Sequence, residues 1–413
     1  MRLYIDPGTG SMLFAILIGV LGAGVYVFKS WLVKLRFLFT GGKKAQGEAN
    51  KKIPLAVFSD DKRYYSVFYP VLRELDRRGV DVEYLTASQD DPAFATELTH
   101  VHPSFLGEGN RAFAKLNFLR ASLVLSTTPG LDVYQWKRSK DVDYYVHMLH
   151  AASEVVTYRM FGIDYYDAVL LSGEYQRADI RALEQLRSLP EKEIEMIGIP
   201  YMDEMLARLK NDTPLPPHKR TVLLAPSWGD SAIFKRYGGK IIDVLLKTGY
   251  HIIVRPHPQS FRSETEMIEK LMADYPASEQ LEWNRDNDNY EVLRRSDILI
   301  SDFSGVIFDF CLVYDKPVIY TDTKFDKGPY DAWWLDRDLW TFRTLPTVGK
   351  QLTPENMDSL QQMIEECITS AEYAAGRDRA RAETWEYIGQ GAVRAADYLE
   401  KKLGELTAGK EQA

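Results

Sequence analysis

The chain is expected to be an α/β protein with two Rossmann-like domains behind an N-terminal transmembrane helix. Three observations predict this. Ser11 to Phe28 form an uncharged apolar run, short β-branched runs alternate with helical periodicity from Ile53 onward, and that rhythm breaks and restarts around residues 211 to 219. A length of 413 residues exceeds one ordinary core and leaves room for two domains. Hydrophobic content of 45% and charged content of 27% are those of a globular chain. A net charge of -8 speaks against a nucleic-acid-binding body.

The first element is SMLFAILIGVLGAGVYVF, Ser11 to Phe28. At 1.5 Å per residue it covers about 27 Å as a helix, close to a hydrocarbon core. A secretory signal peptide is the rival, but Arg2 is the only basic residue before the run and KSWLVKLRFLFTGGKK follows it. An uncleaved anchor is therefore expected. The positive flank of Lys29, Lys34, Arg36, Lys43, Lys44, Lys51 and Lys52 puts the large C-terminal part on the cytoplasmic side of the cell membrane. Residues 29 to 39 mix basic and bulky apolar side chains, which suits an interfacial segment on anionic lipid. GGKKAQGEAN, Gly41 to Asn50, reads as a flexible linker.

From Ile53 the chain reads as strand, helix, strand. IPLAVFS is a buried strand, Tyr64 to Gly79 a helix with a glycine stop, and VDVEYLTAS a second strand. LVLSTT, DYYVHML, DAVLLSG and IEMIGIP supply four more. Such alternation implies a parallel, doubly wound sheet. NDTPLPPHK, with three prolines, marks the boundary, after which TVLLAPS, HIIVRPHP, SDILISD and PVIYTD restart the pattern. A helical stretch runs from about Pro354 to Leu403. The expected layout is anchor and linker 1–52, first Rossmann-like domain 53–212, second 213–385, and a C-terminal helix and tail 386–413 that crosses back.

Ligands of open parallel sheets bind beyond the carboxyl ends of the strands, and the unusual residues lie at such ends. SDILISD leads into FSGVIFDF, a strand, turn and helix start. Ser304 and Gly305 would open a helix whose free N–H groups and dipole suit a phosphate; an ordinary N-cap serine is the plainer reading. Asp302 and Asp309 would repel a phosphate and are expected to orient a hydroxyl or a cation. In RPHP, Arg255 offers a bidentate fork, and His257, pinned between prolines, is expected to act protonated on a transferred phosphoryl group. APSWGD brings Ser227 to the same edge, with Trp228 placed to stack on a base or cover the cleft. In HMLHAASE, His147 and His150 fall on opposite strand faces; His150 is the candidate base and His147 is packing. Asp203 of GIPYMDEML is expected to cap a helix.

Cys311 and Cys367 stand too far from any partner for a disulfide scaffold, and the seven histidines show no HExxH or HxxxH spacing. No metal or cofactor is expected.

Taken in order, HAAS, GIPYMD, APSW, RPHP and DFSG resemble the turns of the CDP-glycerol glycerophosphotransferase family, the teichoic acid primases and polymerases. The resemblance spans roughly Tyr144 to Asp322. It implies a GT-B fold without a catalytic metal, His150 as the acceptor-side base, His257 as the donor-phosphate histidine, and Arg255, Asp302 and Ser304 in the donor motifs. It also implies that an acceptor hydroxyl attacks the β-phosphorus of a CDP-glycerol-like donor and releases CMP, the acceptor being lipid-linked or polymeric. The sequence departs from that pattern at Leu149, Ala151, Ser153, Tyr201 and Gly305. The alternatives are a GT-B glycosyltransferase or epimerase-like enzyme using a UDP-sugar, and a non-catalytic member that retains the donor site.

Overall fold

Short runs of Val, Ile and Leu with no polar alternation can satisfy both faces only inside a sheet covered on each side. The computed structural model, which describes residues 52–286, 288–302, 304–321 and 325–411, folds them that way. The first sheet comprises β1 (Ile53–Ser59), β2 (Val82–Thr86), β3 (Val101–Phe105), β4 (Ala121–Ser126), β5 (Val142–Met148), β6 (Ala168–Leu171) and β7 (Glu193–Met196). Its order is β3-β2-β1-β4-β5-β6-β7, with every pairing parallel. The second comprises β8 (Thr221–Leu224), β9 (His251–Val254), β10 (Leu281–Trp283), β11 (Ile298–Ser301), β12 (Val318–Thr321) and β13 (Gly349–Leu352). Its order is β10-β9-β8-β11-β12-β13, also all parallel.

Alternate residues of the central strands serve opposite faces. Leu55 and Val57 enter one core while Ala56 and Phe58 enter another. Leu223 faces one side of the second sheet and Val222 and Leu224 the other. Each fully buried Leu or Val of this kind contributes roughly 1.5–3 kcal/mol. In each sheet the direction of winding reverses once, between β1 and β4 and between β8 and β11. Those reversals leave a crevice at the carboxyl ends of the two strands. Three strands were not foreseen: β3, β10 and β13, each at a sheet edge.

The expected C-terminal helical stretch is three helices, Leu360–Thr369, Ala371–Thr384 and Gly391–Glu411. The last returns to the first sheet, where Ala395, Ala396 and Leu399 join the core of Leu55 and Val57. Arg78 holds it through Asp397 at 2.7 Å and Glu400 at 2.6 Å. The crossing needs a bare backbone beneath it. A Cβ on Gly198, whose φ is +78°, would lie 2.1 Å from the Glu386 carbonyl oxygen. Asp203 does cap a helix, but not the one it opens: its carboxylate accepts Trp385 Nε1 (2.9 Å), Gly389 N (2.7 Å) and Gly391 N (2.9 Å) at the start of the last helix.

A second tie runs from the residues beyond β12. Ala332, Leu335 and Leu339 sit in the core of the first sheet. Buried Asp331 accepts the amides of Phe161 (2.7 Å) and Gly162 (3.1 Å) and pairs with Arg187. The apolar run Ser11 to Phe28 lies outside the described residues, and among the described residues no helix is long and apolar enough to cross a membrane.

Candidate active site

The reversal in the first sheet brings the residues after β1 against those after β4. Ser126 Oγ donates to the Phe58 carbonyl at 3.0 Å, and Thr128 Oγ1 donates to Asp60 Oδ1 at 2.9 Å. Burial raises the Asp60 pKa above the ordinary carboxylate value. Beyond Asp60 the chain makes one 3-10 turn, Lys62–Tyr64, capped by Asp61, which accepts both the backbone N–H and the Nε–H of Arg63 at 2.9 Å. Tyr64 lays its ring 5.0 Å from that of His150.

His150 follows the end of β5, where the strand has released its side chain toward the crevice. Its Nδ1 lies 3.0 Å from Thr127 Oγ1 and 3.3 Å from Tyr158 Oη, and the Thr127 backbone also accepts from the ring. A proton held at Nδ1 leaves the Nε2 lone pair open. Burial, aided by the charge of Arg63, lowers the pKa to about 4, so the ring is neutral near pH 7. His147, within β5, is fully buried and lowered to about 3 by the same desolvation; the two rings are not turned to opposite sides as the strand spacing predicted, because His150 lies beyond the strand end. Its Nε2 reaches Tyr158 Oη at 3.1 Å, so one phenol hydroxyl joins two imidazoles.

The reversal in the second sheet repeats this scheme with different chemistry. Ser301 Oγ donates to the Ala225 carbonyl at 2.6 Å. Asp302, with no exposed surface, accepts the Ser227 amide at 2.9 Å and thereby shapes the APSW turn. Ser227 Oγ is buried and has no partner among the described residues, an orphan that a ligand oxygen would satisfy. Trp228 is 49% exposed beside it. Ser304 and Gly305 form the turn before the helix Val306–Phe308, which continues as the π-helical segment Asp309–Val313. Asp309 accepts the Tyr201 hydroxyl at 2.6 Å, and burial raises its pKa to about 6.

The RPHP turn corrects two expectations. His257 Nδ1 accepts the Gln259 amide at 3.1 Å, and burial, with Arg63 nearby, lowers its pKa to about 4. It is therefore a neutral Nε2–H donor and not an imidazolium. The fork of Arg255 is engaged within its own half, on Asn284 Oδ1 and the Asp286 carbonyl (2.8 Å). It anchors the residues after β10, because a half-buried guanidinium binds the nearest oxygens in place of water.

The turn carrying His150 comes close to the second sheet. A Cβ built on Gly305 would lie 3.7 Å from that of Ala151, so the turn carrying His150 faces the turn after β11. Asp60, Asp61, Arg63, Tyr64, Thr127 and Tyr158 escaped the sequence reading. One signal was available: SDDKRY and STTPG stand at the ends of the strands on either side of the reversal.

Residues 157–338 match the model of the CDP-glycerol:poly(glycerophosphate) glycerophosphotransferase family. The likeness to that family is thus confined to a little under half of the chain. The matched segment contains Ser227, Arg255, His257, Asp302, Ser304 and Gly305, while His150 precedes it. The chain is 34% identical over 102 residues to the minor teichoic acid biosynthesis protein GgaB of Bacillus subtilis, covering 23% of this chain and 10% of that protein. It is 30% identical over 135 residues to the teichoic acid glycerol-phosphate primase of Bacillus spizizenii, covering 30% of this chain and 32% of that protein. It therefore spans a tenth and about a third of the length of these relatives. Among solved structures, the UDP-GlcNAc 2-epimerase of Methanocaldococcus jannaschii is similar with a TM-score of 0.55 at 14% identity, covering 84% of this chain and 99% of that one. The putative UDP-N-acetylglucosamine 2-epimerase of Listeria monocytogenes gives 0.54 at 13%, covering 86% and 98%. At such identity these likenesses speak for the fold alone.

Proposed function

We propose that the chain transfers glycerol phosphate, or a related alditol phosphate, from a CDP-activated donor to a lipid-linked or polymeric cell-envelope acceptor, releasing CMP. The observation that carries this reading is the approach of the turn carrying His150 to the turn after β11, at Ala151 and Gly305, with the charge of Arg63 acting on both His150 and His257. His150 Nε2 takes the proton of the acceptor hydroxyl as its oxygen attacks the β-phosphorus. The bond from that phosphorus to the bridging oxygen breaks, and its electrons leave with CMP. His257 donates its Nε2–H to a phosphoryl oxygen, and Ser227 Oγ is available to another. With a pKa lowered to about 4 His150 alone is a weak base; the negative charge of a bound diphosphate favours its imidazolium and raises its pKa toward the working range.

An anchor at Ser11 to Phe28 on the cell membrane, with the two sheets on the cytoplasmic side, would hold the crevice beside a lipid-linked acceptor. The test supplies purified protein with CDP-glycerol and a membrane lipid extract and measures CMP. His150→Ala and His257→Ala should each reduce its formation by about 100-fold or more. Unchanged CMP formation in both variants rejects the mechanism, and release of UDP from a UDP-sugar in its place rejects the donor.

A further inference from the structure

The transfer reading needs a cation at the phosphate, and the arginine that the RPHP turn offers is already engaged on Asn284 and Asp286. We propose that Arg63, from the turn after β1 in the opposite half, is the guanidinium that meets the donor's phosphates across the crevice. This goes beyond the transfer reading and rests on it for the identity of the donor.

The turn that carries Arg63 follows the β1 end of the first reversal, and the next residue, Tyr64, packs on His150. Within the side chain of Arg63 the Nε–H is bonded to Asp61, and among the described residues its two terminal NH2 groups make no hydrogen bond. The side chain is 51% exposed, so a ligand can reach it without opening the protein. His150 stands on the same wall, and its neighbour Ala151 faces Gly305 of the donor wall. Arg63 is also felt by both histidines: its charge disfavours protonation of His150 and, from the other sheet, of His257. A planar fork held at one nitrogen by Asp61 presents its remaining edge in a fixed direction, which suits two oxygens of a diphosphate. Because the cation belongs to one half and His257 and Ser227 to the other, a diphosphate bound between them would also draw the two halves together.

Two measurements need no turnover. With 13C-labelled histidine, Arg63→Ala should raise the NMR titration midpoints of both His150 and His257 by about half a pH unit. By calorimetry, inorganic pyrophosphate should bind at least about tenfold more weakly to Arg63→Ala than to the unaltered protein, with Arg63→Lys intermediate. With CDP-glycerol, Arg63→Ala should lower kcat/KM by about 100-fold. Arg255→Ala should instead act first on the melting temperature, since it releases the residues after β10. Pyrophosphate binding that is absent in the unaltered protein, or equal in Arg63→Ala, overturns the proposal whether or not CMP is formed. Weakened pyrophosphate binding in Arg63→Ala without CMP formation by any form retains this proposal and sinks the transfer reading.

Discussion

The two sheet reversals are built alike and finished differently. In both, a serine at the end of the outgoing strand bonds a carbonyl of the neighbouring strand: Ser126 to Phe58 and Ser301 to Ala225. In both, an aspartate follows a strand beside the reversal, after β1 in the first sheet and after β11 in the second. In the first sheet Asp60 takes a side-chain hydroxyl, from Thr128; in the second Asp302 takes a backbone amide, from Ser227. Under the proposed transfer the difference would give the walls different tasks. A backbone bond to a fully buried carboxylate fixes a main-chain turn, which suits a wall that binds an invariant diphosphate. A bond between two side chains leaves the turn adjustable, which suits a wall that meets the acceptor.

Removing the two aspartates is the strongest way to break this comparison. Asp302→Ala strands a buried N–H and empties the space beneath APSW, and should cost about 2–3 kcal/mol in urea unfolding together with a raised KM for the donor. Asp60→Ala removes a carboxyl that burial already disfavours in its charged form, and should cost about 1 kcal/mol. Equal losses in the two variants would refute the claim that one wall is rigid and the other adjustable.

The same contrast sets what could be read from the sequence. Central strands were legible because runs such as AVLL and the ILI of β11 are apolar at every position, as suits a strand buried on both faces. β3 contains Pro103, β10 is the three residues Leu281–Trp283, and β13 reads GKQL. Each is an edge strand paired on one side, where neither an apolar run nor a full set of N–H donors is required. The strand ends of the second sheet were legible because proline and glycine punctuate them. Beside the first sheet, SDDKRY looks like any solvated turn, and Tyr158 becomes notable only when folding brings its hydroxyl between His147 and His150. The fork of Arg255 was misjudged for the same reason: its partner Asn284 stands 29 positions away.

Where the walls agree is in the state of their histidines, and pH sharpens that point. His150 and His257 both titrate near 4 in the folded protein, against about 6.5 when unfolded. The unfolded chain takes up these protons first as acid is added. The stability that neutral burial confers is therefore complete above pH 6.5 and is lost as pH falls toward 4. Between pH 5 and 6, His150→Gln and His257→Gln should each flatten the slope of unfolding free energy by nearly one proton, about 1.4 kcal/mol per pH unit. A slope unchanged in either variant would show that its histidine is solvated and charged in the fold.

The smallest effect on stability should come from the point where the walls touch. Gly305 has a φ of -54°, an ordinary helical value, and a Cβ there would meet Ala151 at 3.7 Å, an ordinary contact. Gly305→Ala should therefore leave the unfolding free energy within about 0.5 kcal/mol, since nothing in the backbone demands glycine. Function is a separate matter: if a phosphate rests against the backbone of this turn, the added methyl occupies the approach and KM for CDP-glycerol should rise about tenfold with kcat little changed. Ala151→Gly, which loosens the same contact from the acceptor side, should leave KM for the donor where it was. Were Gly305→Ala to melt early, the turn would matter for packing. Were it to change neither Tm nor KM, the phosphate would have to bind elsewhere along the wall.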